Sequence, residues 1–300
     1  MHLLIIGGSG FIGPYVATQL CDAGHNVTVY HRGQHESALI PATVKHYRNP
    51  AASTPLVDFP KDLLRCEFDV VIHMIAMCAT EARAAVDAFC GRSRRIVALS
   101  SGDVYLAYGR FTGLEPGPVQ EGLLTEESPL RTALYPYRSK AKSPDDLSYD
   151  YEKILVEREL LGQSALPATI LRLPKLYGPG NNADLATVYG FRNHPHWRWT
   201  HDYVENVAAA IVRASLTDAA AGRVYNVGEE YTPTIEERLR TLPPSSVVTV
   251  NAPTYNFRQD IAYDTTRIRR ELGYSEIVPY ELGLKRTLSA GETSSGLRMT

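Results

Sequence analysis

Three hundred residues, 44% of them hydrophobic and 21% charged, describe an ordinary globular chain with one main domain and room for a smaller lobe. A formal net charge of -2 lacks the basic excess that binding a phosphate backbone requires, so no nucleic-acid partner is expected. The longest apolar runs have the length of buried strands and no basic leader precedes the first of them, so no membrane partner is expected and the chain is read as cytoplasmic.

In chain order, HLLII (2–6) is a continuous apolar run, followed by the Gly-rich turn GGSGFIG and a helical stretch ending at Ala23-Gly24. NVTVYH is a second strand and VKHY a weaker third; DVVIHMIA and RIVALSS are the fourth and fifth. TEARAAVDAFCGR between the last two has helical composition. Strands alternating with helices predict an α/β fold with a doubly wound parallel sheet covered on both faces, followed by a small C-terminal α/β lobe. Residues 106–148 break the rhythm with Gly, Pro, Ser and charge, and are read as a surface excursion. Loops this long inside compact domains are usually functional, so the part between Arg110 and Asp146 is expected to lie over the substrate cleft. A helix over YDYEKILVERELLG and a strand at ATILRLP come next. Beyond them lie a helix at VENVAAAIVRASL, a strand at RVYNVG and helices at TTRIRRELGY and YELGLKRTL. The dinucleotide-binding part is placed at 1–175, and 176–300 is mainly a substrate lobe with some elements returning to the first domain.

Gly7, Gly10 and Gly13 follow the first strand and open a helix. Gly7 permits a tight turn, Gly10 lets the backbone approach a pyrophosphate and Gly13 lets the helix pack on the sheet. The helix N-terminus then offers unpaired N–H groups to phosphate.

Tyr149 lies four residues before Lys153, which on a helix places both on one face. Ser100 and Ser101 end the fifth strand, at the sheet edge where doubly wound folds bind ligands. Ionising a free tyrosine at pH 7 costs about 4 kcal/mol, and an ammonium about 5 Å away at an effective dielectric of about 20 returns about 3 kcal/mol. In this reading Tyr149 is the general acid or base, Lys153 depresses its pKa and binds the cofactor ribose, and Ser101 holds the reacting oxygen. The plain alternative is a surface Tyr and Lys on an amphipathic helix.

With these residues in view, the chain resembles the extended short-chain dehydrogenase/reductases of the NAD-dependent epimerase/dehydratase group. The resemblance runs through GGSGFIG, DVVIHMIA, SSGDVY, Tyr149 to Lys153, RLPKLYGPG, YVENVAAAI, RVYNVG and TTRIRRELGY. It implies a seven-stranded sheet, Ser101, Tyr149 and Lys153 as catalytic residues, and a homodimer joined through helices, one of them carrying Tyr149. The residues assigned to the dinucleotide are Gly7, Gly10, Phe11, Ile12, Gly13, His31, Arg32, Ile75, Ala76, Ser100, Lys153 and Leu173.

The chain also departs from the family pattern. Where NAD-preferring members carry an acidic residue at the end of the second strand, His31 and Arg32 stand here. That exchange favours the 2′-phosphate of NADP over NAD, unless Arg32 is a solvated loop residue. Asp103 occupies a position that is acidic in dehydratases, and is read either as a second acid/base group or as a turn residue bonding nearby backbone. The segments 180–197 and 237–247 look shorter than the family's substrate segments, and WRWTHDY replaces a usual Arg-Asp-aromatic element, so nucleotide-sugar specificity does not carry over. His194, His196 and His201 lack ligand spacing and are read as pocket rim or surface; no metal is expected. The cysteines Cys21, Cys66, Cys78 and Cys90 show no CxxC pattern and are read as reduced, buried thiols. The expected activity is hydride transfer at a hydroxyl or carbonyl carbon of a polar, sugar-like small molecule. Alternatives are an NADPH-dependent carbonyl reductase and a degenerate dinucleotide sensor.

Overall fold

The computed structural model of the protein describes residues 1–34, 37–52 and 54–296, with side chains through 290. Its main sheet has the strands β1 (His2–Ile6), β2 (Asn26–His31), β3 (Lys45–Arg48), β4 (Phe68–His73), β5 (Ser93–Ser101), β6 (Ala168–Leu173) and β9 (Val224–Asn226). They lie in the order β3-β2-β1-β4-β5-β6-β9 and all pair in parallel. The order reverses between β1 and β4, the switch point at which such sheets open a crevice at their carboxyl ends.

The continuous apolar runs are explained by the two covers. Successive side chains of a strand point to opposite faces. Leu3 and Ile5 of β1 join a cluster with Val16 and Leu20 of α1 (Gly13–Asp22) and with Val207 and Ile211 of α6 (Val204–Leu216). Leu4 and Ile6 join Ala82, Ala85 and Phe89 of α2 (Ala79–Phe89) and Val156 and Leu160 of α4 (Lys153–Leu161).

The second lobe is built on a short parallel pair, β7 (Lys175–Tyr177) with β8 (His201–Tyr203), which follows directly on β6. An aromatic-rich cluster there joins Val104, Phe111 and Leu124 to Trp197, Ile235 and Ile261. The surface excursion therefore packs on the C-terminal lobe. It begins with a helix, α3 (Leu106–Thr112), and Tyr105 bridges Leu130 while Leu124 bridges Tyr263. The remaining helices are α5 (Ala186–Tyr189), α7 (Ile235–Arg240), α8 (Thr266–Leu272) and α9 (Tyr280–Gly296).

One predicted helix is shorter than its composition suggests. α4 starts at Lys153, not at Tyr149. Glu152 has an extended backbone (φ -158°, ψ 96°), and its carboxylate caps the helix by accepting from the Ile154 N–H at 3.0 Å. That carboxylate is fully buried, ion-paired to Arg131 at 3.1 Å and also bonded by the Tyr135 N–H. A buried pair between the excursion and the helix start overrides local helix preference.

Candidate active site

The first cleft opens at the β1–α1 turn and is lined by Gly7, Ser9, Gly10, His31, Arg32 and Ile75, among others. Gly7, Gly10 and Gly13 differ in what a Cβ would meet. Gly7 sits at φ +84°, and a Cβ there would come within 2.5 Å of Ile75 Cγ2. A Cβ on Gly13 would overlap the Gly8 carbonyl, so the helix could not close onto the turn. Above Gly10 there is open space, with the Gly7 carbonyl oxygen 3.8 Å away as the nearest atom. α1 has no side-chain cap and no acidic residue in its first turn, which leaves its N–H groups for an anion. This is a cradle that fits a dinucleotide pyrophosphate. Gly13→Ala is expected to abolish dinucleotide binding, checked by cofactor titration together with circular dichroism; a variant that binds normally would refute the close-packing role.

Residues expected at the dinucleotide are sorted by the structure. Gly7, Gly10, His31, Arg32 and Ile75 line the first cleft. Phe11 and Ile12 send their side chains into hydrophobic clusters, so only their backbone can serve a phosphate. Ala76 is buried and offers its carbonyl to Lys153. Leu173 lines a second cleft, described below, and not the first. Ser100 is turned the other way: its hydroxyl donates to buried Glu157 at 2.5 Å, and Glu157 is ion-paired to Arg172 at 2.6 Å. The ring of His31 is held by His46 (Nε2 to Nδ1, 2.9 Å) and receives the Gly33 N–H at 3.2 Å. Both of its nitrogens are thus engaged inside the protein, whereas Arg32 is exposed at the rim. Sequence reading missed Glu81 in this cleft. Its carboxylate accepts from the N–H groups of Leu56 (2.7 Å) and Met77 (2.6 Å) and so ties Leu56 to the segment that follows β4.

The second cleft lies beyond the ends of β5 and β6, has a volume of about 290 Å³, and is lined by Ser101, Asp103, Tyr137, Leu173, Lys175 and Trp199, among others. Asp103 is its centre. The hydroxyls of Tyr137 and Tyr151 both donate to Asp103 Oδ2, each at 2.9 Å, while the buried Oδ1 has no hydrogen-bond partner among the described residues. Burial pushes the Asp103 carboxyl above its usual range, and the Tyr137 phenol, the Arg131 charge and the Tyr151 phenol oppose that. Burial, then the adjacent Asp103 charge, raises both phenols well above the ordinary tyrosine value; the Ser101 hydroxyl pulls Tyr151 the other way. The cluster holds one carboxyl and two phenols in proton-sharing contact.

Lys153 is where expected along the chain, though differently employed. Its ammonium donates to the carbonyls of Ala76 (2.6 Å) and Leu99 (3.0 Å), between the two clefts, and lies 5.8 Å from the centre of the Tyr151 ring. Burial pulls its pKa down to about 8, against the charges of Asp103 and Glu81. Tyr149 does not share a helix face with it. Tyr149 precedes α4 in a turn, its ring lies 4.7 Å from the Arg138 guanidinium, and its carbonyl accepts from Arg138. The tyrosines gathered at Asp103 are Tyr151 and Tyr137, which sequence reasoning passed over; the helix-borne Tyr149 implied by the resemblance is not formed. Two further expectations are corrected. His201 is not rim or surface but buried, bonded to Thr187 (2.9 Å) and to the Trp199 carbonyl (2.7 Å). The cysteines are free thiols, as expected, but none is fully buried and Cys90 is exposed.

A model of the "NAD dependent epimerase/dehydratase family" matches residues 3–194. The chain belongs to that family. Its members are enzymes of the extended short-chain dehydrogenase/reductase type. A dTDP-glucose 4,6-dehydratase of Streptomyces griseus is 25% identical over 96% of this chain and 93% of its own length. A UDP-N-acetyl-alpha-D-glucosaminuronate decarboxylase of Bacillus cytotoxicus is 23% identical over 95% and 96%. Among solved structures, a dTDP-glucose 4,6-dehydratase from Bacillus anthracis in complex with NAD superposes with a TM-score of 0.69 at 16% identity, over 99% of this chain and 98% of the other. The seven-stranded doubly wound sheet is therefore the family's fold.

Proposed function

We propose that this protein is an NAD(P)-dependent oxidoreductase of the epimerase/dehydratase type, acting at a hydroxyl or carbonyl carbon of a polar, sugar-like substrate. The observation that carries this reading is the position of Lys153. Its ammonium bridges the end of β4, beside the dinucleotide cradle, to the end of β5, beside the Ser101–Asp103–Tyr151 group. A nicotinamide dinucleotide in the first cleft supplies the hydride acceptor. Ser101 positions the reacting oxygen. As the substrate is oxidised, the proton of its reacting hydroxyl passes to the Tyr151 oxygen while Tyr151 passes its own to Asp103 Oδ2, and the reverse serves reduction; the unpartnered Asp103 Oδ1 is an acceptor for a second substrate hydroxyl. A binding module without chemistry has no use for such a proton-sharing set.

The cofactor we assign is NADP(H), with Arg32 as discriminator. No carboxylate ends β2 to repel a 2′-phosphate, and Arg32 at the rim can form charge-assisted bonds worth about 1.5–3 kcal/mol each. His31 is already committed to His46 and Gly33, which leaves the phosphate to Arg32. Arg32→Ala is expected to weaken NADP about 10- to 100-fold and leave NAD little changed. Titration of both cofactors against both proteins checks this. A wild type that prefers NAD would reduce Arg32 to a loop residue and favour a tightly held NAD recycled within each turnover. An NADP preference with net consumption of NADPH would favour the carbonyl reductase reading.

A further inference from the structure

Oxidation of a hydroxyl releases one proton with each hydride, and reduction of a carbonyl consumes one. Asp103, which takes that proton from Tyr151, is only 4% exposed, so the proton needs a route to water. Most of the groups around the carboxyl cannot provide it. The Lys153 ammonium already donates to the carbonyls of Ala76 and Leu99, and with its pKa pulled down to about 8 by burial it still holds its own proton at pH 7. Arg131 donates to the carbonyls of Asp103 and Ala133, and a guanidinium accepts nothing. Tyr263 feels the Asp103 charge, but its hydroxyl donates to the Leu173 carbonyl at 3.2 Å. Tyr137 remains.

Tyr137 and Tyr151 donate to the same carboxylate oxygen, Oδ2, each at 2.9 Å, with their ring centres 5.1 Å apart. The Tyr137 hydroxyl also lies 3.1 Å from that of Tyr108, a contact in which either oxygen can be the donor. Tyr108 stands on α3, is half-buried and lines the second cleft together with Tyr137. A phenol has one proton to donate. Once the Tyr151 proton is on Oδ2, Tyr137 is displaced as a donor there, and Tyr108 is its other hydroxyl partner among the described residues. We propose that Tyr137 and Tyr108 form a proton route between Asp103 and solvent. The route rests on the assignment of Asp103 as the acceptor of the Tyr151 proton. On oxidation a hydride leaves the substrate carbon for the dinucleotide, the hydroxyl proton passes to Tyr151, and the proton of Tyr151 passes to Asp103 Oδ2. That proton then moves to the Tyr137 oxygen as the Tyr137 proton moves to Tyr108 and the Tyr108 proton moves to water. Asp103 is again a carboxylate, all three phenols are again protonated, and one proton has left the protein; reduction runs the row backward. The phenols are suited to exchanging protons and not to ionising. Burial pushes Tyr108 up to about 12 and Tyr137 well above the ordinary tyrosine value, so each gives a proton only while taking another.

The test is a light-triggered pH jump on the NADP-loaded protein, followed by infrared spectroscopy of the protonated Asp103 carboxyl, whose band is assigned by its loss in Asp103→Asn. Wild type, Tyr137→Phe, Tyr108→Phe and the double variant are compared. Tyr137→Phe removes a hydrogen bond to the ionised carboxyl, so the Asp103 titration midpoint should rise, while its protonation should slow at least about tenfold. Tyr108→Phe does not touch Asp103, so it should slow protonation to a similar extent and leave the midpoint unchanged. The double variant should be no slower than the slower single one, because both phenols lie on one route. A phenol that only supports the carboxyl moves the midpoint and not the rate. Wild-type rates in Tyr108→Phe, or an Asp103 that takes up no proton while the protein is folded, overturn the proposal; if Tyr137→Phe does not fold, Tyr108→Phe decides alone. The readout needs no turnover, so the two readings fail separately. Slowed protonation together with a fully active Tyr151→Phe leaves the route standing and sinks proton transfer at Tyr151. Unchanged rates together with an inactive Tyr151→Phe sink the route alone.

Discussion

Tyr151→Phe is expected to lower turnover about 10²- to 10⁴-fold while changing dinucleotide affinity no more than a few-fold. The substitution removes one phenol oxygen from the second cleft and leaves the cradle at Gly7, Gly10 and Gly13 untouched. It also has a signature in pH. The Tyr151 phenol donates to Asp103 Oδ2 and so favours the ionised carboxylate; without it the Asp103 pKa rises further. Any residual activity that needs the ionised Asp103 should then appear only at higher pH than in wild type. Tyr149→Phe, whose ring rests on Arg138, should stay near wild type. Rates of both variants across pH decide between them. If Tyr149→Phe is the inactive one, the working enzyme extends α4 by a turn toward Tyr149, and the arrangement at Asp103 is not the catalytic one.

Arg131→Ala is expected to be the most destabilising single change in the excursion, by about 3–5 kcal/mol, read as a lowered denaturation midpoint. The reason is that Arg131 and Glu152 are both fully buried at 3.1 Å, and removing the guanidinium leaves an unpaired carboxylate. Arg131 also donates to the carbonyls of Asp103 and Ala133, so its loss frees the segment that delivers Tyr137 to the cleft. Arg131→Met with Glu152→Gln should recover part of the stability, because no charge is then buried alone. A single mutant with an unchanged midpoint would show that the pair contributes nothing net.

Much of this protein was legible without coordinates. The run of HLLII, the spacing of the three glycines and the alternation through RIVALSS report short-range physics: strand burial on both faces, positive φ at Gly7 and close packing at Gly13. Local rules of that kind suffice to find the first cleft and the end of β5. They do not suffice for the second. Ser100 and Ser101 are indistinguishable as a pair, yet the strand's alternation sends one hydroxyl to Glu157 and leaves the other at the cleft. The Tyr149-Lys153 spacing is a true helical repeat in composition, and it fails because the Glu152 carboxylate is taken by Arg131, twenty-one residues earlier in the chain. No window of sequence around residue 150 contains that partner.

What the amino-acid order determined by itself, then, is the doubly wound sheet and the glycine-rich turn that opens the first cleft, because each depends on neighbours within a turn or a strand. The burial of Tyr151 beside Asp103 in place of Tyr149, and the convergence of Tyr137 and Tyr151 on that carboxyl, were decided only by tertiary structure. These depend on the excursion and the C-terminal lobe packing together through Phe111, Leu124, Trp197 and Ile261, contacts between residues far apart in the chain. A buried charge takes whichever partner the packing brings to it, and side-chain spacing along the chain does not encode that partner.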